Sequence, residues 1–198
     1  MPEKQDLPSA QPDMERQFAV ELRGHLLQFT TTWGLFHPKG VDVGTGLLLE
    51  HIEIAEDATC LDLGCGWGPI GLTLARLAPR GHVHLIDKDF VAVEYARRNA
   101  DANGLPQARA YLSNSFSHVP EETRFDVIVS NLPAKSGSEL LGHWVNESQQ
   151  RLRREGVLWV VTVSGLKDYV KRVFRQTFGN YHKVKQSGTH VVACAIRS

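Results

Sequence analysis

From residue 59 onward the apolar positions divide the chain into alternating strands and helices. Thr59-Cys60-Leu61-Asp62-Leu63 is a short apolar run that ends in glycines. Pro69 suits the first turn of a helix. Ile70, Leu74, Leu77 and Ala78 then keep the spacing of one helix face until Pro79 closes it. Val83-His84-Leu85-Ile86 predicts a second strand ending at Asp87. Ala92, Tyr95, Ala96 and Ala100 mark a helix that stops at Asn103-Gly104. Residues 109–112 offer a third strand and residues 125–130 a fourth. Leu141, Trp144, Val145 and Leu152 share the next helix, and the turn Glu155-Gly156 leads into residues 157–163, a continuous apolar run expected of a central strand. Leu166, Tyr169, Val170, Val173 and Phe174 define the last helix. Residues 181–195 read as two strands joined near Gly188. This alternation predicts an α/β fold with a mostly parallel sheet of seven strands and an antiparallel C-terminal hairpin.

The earlier residues are less regular. Residues 13–31 mix charged and apolar groups and are expected to form a helix and then a strand. Residues 33–46 are aromatic and Gly-rich, which predicts an irregular loop, and residues 47–52 look helical. Residues 1–14 are polar, contain Pro and lack a signal peptide's apolar core, so a loose tail is expected. The expected organisation is a tail over 1–14, an N-terminal extension and lead-in segment over 15–56, and a core over 57–198, one domain overall. With 198 residues, 42% of them hydrophobic, the chain fills one core and is short for two.

The formal net charge is zero, which argues against a strongly electrostatic nucleic-acid binder. Its distribution changes that picture. Residues 1–130 hold 11 Lys+Arg against 18 Asp+Glu, a balance of −7, and residues 131–198 hold 11 against 4, a balance of +7. The cluster Arg151, Arg153, Arg154, Lys167, Lys171, Arg172 and Arg175 can track RNA phosphates or form the wet side of two helices. Cys60, Cys65 and Cys194 include no CxxC pair, so neither a disulfide framework nor a zinc site is expected, and a reducing cytoplasm fits. His82 and His84 share a strand face without a third ligand and read as structural, so no metal is expected. No apolar stretch is long enough for a membrane span.

The chemistry is concentrated at Gly64, Gly66 and Gly68, between a strand and a helix. Glycine there lets a ligand approach the backbone closely. Asp87 ends the next strand 23 residues after Gly64, near the spacing of roughly 20 for a carboxylate that binds ribose hydroxyls. The arrangement indicates an adenosine cofactor. Leu61-Asp62-Leu63-Gly64-Cys65-Gly66-Trp67-Gly68 resembles the first motif of class I S-adenosylmethionine methyltransferases, where an acid precedes the glycines. Dinucleotide dehydrogenases usually lack that acid and space the third glycine differently. Residues 41–50, residues 92–100 after Asp87, and residues 164–191 are similar to segments of the small-subunit ribosomal RNA guanine methyltransferase superfamily, and the likeness covers residues 33–196. The resemblance implies a Rossmann-like, doubly wound sheet, a single catalytic domain and S-adenosyl-L-methionine as cofactor. It further implies that Asp62, Gly64 and Gly66 hold the methionine end, with Thr45 nearby. Asp87 would take the ribose hydroxyls and Asn114 the adenine amine. Cys65, Lys88 and Ser115 complete the expected cofactor contacts.

Asn131-Leu132-Pro133-Ala134 is similar to the Asn-Pro-Pro-aromatic motif of amino-group methyltransferases. Pro133 restricts Leu132 to an extended backbone. The Leu132 carbonyl and the Asn131 side-chain oxygen can then converge on one amine, so Asn131, Leu132 and Pro133 are the catalytic candidates, and Asn131 also adjoins the cofactor. Leu132 stands where the motif has proline, and Ala134 where it has the aromatic that stacks on the base. Trp33, Phe36 and Trp67 are the aromatics that can replace it, although Trp67 reads first as a packing residue. His37, Lys39 and Lys135 are candidates for substrate phosphate. The leading expectation is methylation of an exocyclic amine, guanine in ribosomal or other structured RNA. A small-molecule or protein side-chain acceptor is one alternative. A non-catalytic cofactor- or RNA-binding module is the other. Asp62 and the Asn131 motif disfavour a nicotinamide oxidoreductase.

Overall fold

Residues 15–32 form a β-hairpin of β1 (Glu15–Leu22) and β2 (His25–Thr32). Phe18, Val20 and Leu22 alternate with exposed neighbours along β1. Arg23 and Gly24, at φ 54° and 78°, make the two-residue turn that such hairpins favour. The expected helix at the start of this segment is therefore corrected to a strand, while the strand after it stands. The computed structural model describes residues 15–133 and 137–198, so the expected tail over 1–14 lies outside the described residues.

Helix α1 (Val43–Leu49) begins four residues before the expected helical stretch. Asp42 is the reason. Its carboxylate accepts the backbone N–H of Gly44 at 3.0 Å and of Thr45 at 3.3 Å, which fixes the first turn there.

The remaining strands are β3 (Thr59–Leu63), β4 (His82–Asp87), β5 (Ala108–Leu112), β6 (Phe125–Asn131), β7 (Leu152–Val163), β8 (His182–Gln186) and β9 (His190–Ile196). They form one sheet in the order β5-β4-β3-β6-β7-β9-β8. β9 runs antiparallel to both its neighbours, and the other pairings are parallel. The expected turn at Glu155-Gly156 is a bulge inside β7: Glu155 has φ 64° and the register to β6 shifts between Phe125 and Val127.

Alternate strand residues face two apolar layers. Cys60, Leu85, Val127 and Trp159 meet the hairpin, α1, α2 (Pro69–Leu77) and α3 (Phe90–Ala102). Leu61, Ile128, Leu158 and Val160 meet α4 (Ser138–Arg151) and α5 (Lys167–Phe178). The chain winds outward from β3 to β5 and then returns to β6 on the other side of β3. A crevice at the carboxyl ends of β3 and β6 follows from that reversal.

The hairpin is fastened to α3 by side chains. Asn99 and Asn103, one helical turn apart, pair with Thr30 and Gln28, two strand residues apart. Asn103 Oδ1 accepts Gln28 N at 2.9 Å and its Nδ2 donates to Gln28 O at 2.6 Å. Asn99 Oδ1 accepts Thr30 N at 2.7 Å, and its Nδ2 donates to Thr30 O at 3.1 Å and to Trp67 O at 2.9 Å. The two carboxamides thus satisfy the open edge of β2 at Gln28 and Thr30. Arg98 and the Tyr95 hydroxyl add a tie at Glu15 and hold its carboxyl down at about 2. Asn99→Ala leaves three backbone groups short of a partner and is expected to cost about 2–4 kcal/mol in urea unfolding. A loss below about 1 kcal/mol would show that water replaces these bonds freely.

Candidate active site

The loop over residues 64–68 joins β3 to α2 at one side of the crevice. Gly64, Gly66 and Gly68 have φ of 77°, 55° and 96°, a region that residues with a Cβ rarely enter. Gly64 N and Cys65 N donate to Ile86 O at 2.9 and 3.0 Å, and Gly66 N donates to Asp87 Oδ2 at 3.0 Å. The end of β4 therefore holds the loop in shape. Asp62 lies beneath it, 1% exposed, with Oδ2 accepting Gly71 N at 2.7 Å. Its other oxygen, Oδ1, is buried and takes no hydrogen bond among the described residues. Burial raises the Asp62 carboxyl to about 7; the Gly71 N–H opposes the rise and the Asp87 charge adds to it. Gly71 has to be bare, because a Cβ there would stand 2.5 Å from Leu85 Cγ.

Asp62, Gly64, Cys65, Gly66 and Asp87 are thus gathered around one loop, with Lys88 exposed beside them. The Cys65 thiol points into the core, and burial pushes it well above its ordinary value, so it is no nucleophile. Asn114 and Ser115 follow β5. Ser113 N donates to Asp87 O at 2.8 Å, which brings their loop against the end of β4. Asn114 is exposed, and Ser115 Oγ donates to Glu147 Oε2 at 2.6 Å.

Asn131 ends β6 on the other side of the crevice. Its Nδ2 donates to Asp42 Oδ1 and Oδ2, both at 3.2 Å, and to Thr45 Oγ1 at 3.1 Å. Its Oδ1 takes no hydrogen bond among the described residues. Leu132 donates its N–H to Val161 O at 2.9 Å and buries its side chain. Pro133 is exposed, and Ala134 and Lys135 lie outside the described residues.

Trp33, Phe36, His37 and Lys39 are exposed on the lead-in loop. Trp67 ties that loop to the glycine loop through Nε1, which donates to Phe36 O at 2.9 Å. The Trp67 ring is buried edge-on against Phe18 and Phe29, at 5.7 and 4.8 Å between centroids, so it packs. Two residues with no assigned role in the sequence reading join the site. Asp42 is one, and its N-cap position before Gly44 was the available signal. Trp144 is the other: its Cη2 lies 3.8 Å from where a Gly64 Cβ would stand, and its buried Nε1 lacks a partner among the described residues. Neighbouring helices bring it there, and no local spacing announces it.

The basic cluster separates into two parts. Arg151 donates to Pro120 O and Glu121 O, and Arg153 pairs with Asp126 at 2.6 Å, at the amino end of β7 away from the crevice. Lys167, Lys171 and Arg175 instead line a cleft between α5 and β8 together with Lys183.

The family model for the methyltransferase small domain matches residues 26–193. The chain belongs to that family. It is 35% identical over 148 residues to the uncharacterized protein YbxB of Bacillus subtilis (strain 168), 74% of each chain. Ribosomal RNA large subunit methyltransferase G of Shewanella amazonensis is 28% identical over 179 residues, covering 87% of this chain and 46% of that protein. The structure of T. thermophilus 16S rRNA N2 G1207 methyltransferase (RsmC) in complex with AdoMet and guanosine has a TM-score of 0.87 and 29% identity, covering 99% of this chain and 54% of that one. The chain spans about half the length of these two ribosomal RNA methyltransferases. The Rossmann-like, doubly wound sheet expected from the sequence is therefore the class I methyltransferase fold.

S-adenosylmethionine is the cofactor of this methyltransferase family, and the site fits it. Asp62 Oδ1 is a buried carboxylate oxygen in need of a donor, which a ligand ammonium supplies. A Cβ at Gly66 would meet nothing within 4 Å, so the loop is open to a ligand. Asp62 carries its charge above about pH 7 and loses it below. Calorimetry at pH 5.5, 6.5 and 7.5 is expected to show S-adenosylmethionine affinity rising with pH, by up to about tenfold per unit below 7. Asp62→Asn should flatten that dependence. An unchanged slope in the variant would remove Asp62 as its source.

Proposed function

We propose that the protein transfers the methyl group of S-adenosylmethionine to the exocyclic amine of a guanine in ribosomal RNA. The observation that carries the reading is the Asn131 carboxamide, held through its nitrogen and with no hydrogen bond to its oxygen among the described residues, across the crevice from the glycine loop. An amine with its lone pair delocalised into a ring is a poor nucleophile. Oxygens that accept its protons make the pair more available, and positioning carries most of the acceleration. Asn131 Oδ1 and the Leu132 carbonyl supply two such oxygens. Leu132 in place of proline is compatible with this role, because its extra N–H is satisfied by Val161.

The bound cofactor supplies an electrophilic methyl group; the chain's residues hold the acceptor in line with it. The amine becomes acidic as it is methylated, so no strong base is needed. Base stacking, worth about 1–3 kcal/mol, falls to Trp33 or Phe36, each about two-thirds exposed on the lead-in loop that Trp67 ties to the glycine loop at Phe36 O. Asp62, Asp87, Asn114 and the open backbone at Gly64 and Gly66 bind the cofactor. Thr45, Cys65, Lys88 and Ser115 flank them.

An RNA substrate is supported by the cleft of Lys167, Lys171, Arg175 and Lys183. Lys167 follows the carboxyl end of β7, so one end of the cleft lies toward the crevice end of the sheet, and its basic residues can continue an RNA backbone away from there. His37 and Lys39, exposed on the lead-in loop, are assigned to phosphates nearer the base, and Lys135 is assigned there by its sequence position. The T. thermophilus relative, a 16S rRNA N2 G1207 methyltransferase bound to guanosine, favours guanine over other acceptors. Ribosomal RNA as substrate implies the cytoplasm, which suits three free, buried cysteines. No described helix is long and apolar enough to cross a membrane.

Labelled S-adenosylmethionine with ribosomal RNA or ribosomal subunits tests the reading. Label is expected in RNA and, after digestion, in N2-methylguanosine. Asn131→Ala should lower kcat about 100- to 1000-fold, and Lys171→Glu should raise KM for RNA more strongly at low salt. Label confined to protein, or none, would overturn the assignment.

A further inference from the structure

We propose that Asp42 sets the direction of the Asn131 carboxamide and so decides whether an oxygen or an NH2 group meets the acceptor amine. The inference rests on the reading that Asn131 Oδ1 accepts a proton of that amine. A carboxamide has a donor end and an acceptor end of nearly the same shape. Which end faces outward is decided by what holds the inner end. Here both inner contacts at Asp42 are carboxylate oxygens, 3.2 Å from Asn131 Nδ2. A carboxylate only accepts hydrogen bonds. Turning the amide over would set Oδ1 against that negative charge and aim the NH2 group at another NH2 group. Thr45 Oγ1, at 3.1 Å, does not make the choice alone, because a hydroxyl both donates and accepts.

Asp42 is itself fixed. It is 9% exposed and caps α1 through Gly44 N and Thr45 N. One carboxylate therefore closes a helix in the lead-in segment and aims a side chain 89 positions later. It touches no substrate in this scheme; it is a positioning residue.

Asp42→Asn is the discriminating variant. Its remaining oxygen still caps α1, so the melting midpoint should hold. Its new NH2 group faces Asn131 Nδ2 and favours the flipped amide, and kcat for RNA methylation is expected to fall about 100-fold. Asn131→Asp alone sets two carboxylates face to face and should also be slow. In the Asp42→Asn, Asn131→Asp double variant the amide and the carboxylate trade places, an oxygen again faces the acceptor, and kcat should return to within about tenfold of wild type. A purely structural role for Asp42 would give no such rescue.

A second readout needs no activity. In the 15N spectrum of the cofactor-free protein, the Asn131 side-chain NH2 signal should be deshielded and slow to exchange, and Asp42→Asn should abolish both properties. The proposal is overturned if Asp42→Asn keeps kcat within about threefold of wild type, if the double variant is no faster than Asn131→Asp, or if the NH2 signal is indifferent to Asp42. Should Asp42→Asn melt early, the comparison of the double variant with Asn131→Asp decides. If wild type methylates no RNA, the proposed function fails, while the spectrum still judges Asp42.

Discussion

The hydrogen bond from Gly71 N to Asp62 Oδ2, at 2.7 Å, is the contact around which the donor half of the site is organised. It joins the end of β3 to the first turn of α2 beneath the glycine loop. It forms only because Gly71 has no side chain to strike Leu85. It also occupies just one carboxylate oxygen. The other is buried with no hydrogen bond among the described residues, and burial raises the group to about 7. A charge held so reluctantly gains most when a cation arrives, because pairing removes a cost the fold has already met.

The acceptor half is built on a different basis. Its groups come from β6, α1 and the lead-in loop, and hydrogen bonds rather than burial decide their geometry. The Leu132 substitution belongs to this pattern. A proline would have ended the β6–β7 ladder at that residue, and leucine extends it by one bond to Val161 while anchoring itself in the core. The departure from the resembled motif is therefore accommodated by the sheet.

Where the sequence was legible, the signal was local. The apolar runs of β3, β4, β6 and the second half of β7 lie buried in the sheet, and Gly64, Asp62 and Asp87 meet at one loop as their spacing implied. The failures have physical reasons too. Glu15, Arg16 and Glu21 look helical because a one-sided strand carries as many charges as an amphipathic helix. The start of α1 hid in a Gly-rich stretch because its nucleus is the Asp42 side chain. Asp42 gained its meaning from Asn131, a partner remote in the chain. For the basic cluster the sequence left open an RNA track or the wet side of two helices, and Arg151 and Arg153 are spent on contacts at the far end of β7.

The Asn99 carboxamide serves Thr30 on the hairpin and Trp67 in the glycine loop at once, and Phe29 packs on the Trp67 ring. The hairpin is thus the back wall of the ligand loop, although no strand ladder joins it to the main sheet. Trimming the chain to the seven-stranded sheet would leave every sheet pairing intact and still strip that wall away. Any shortened fragment meant to keep its ligand loop in shape has to retain residues 15–32.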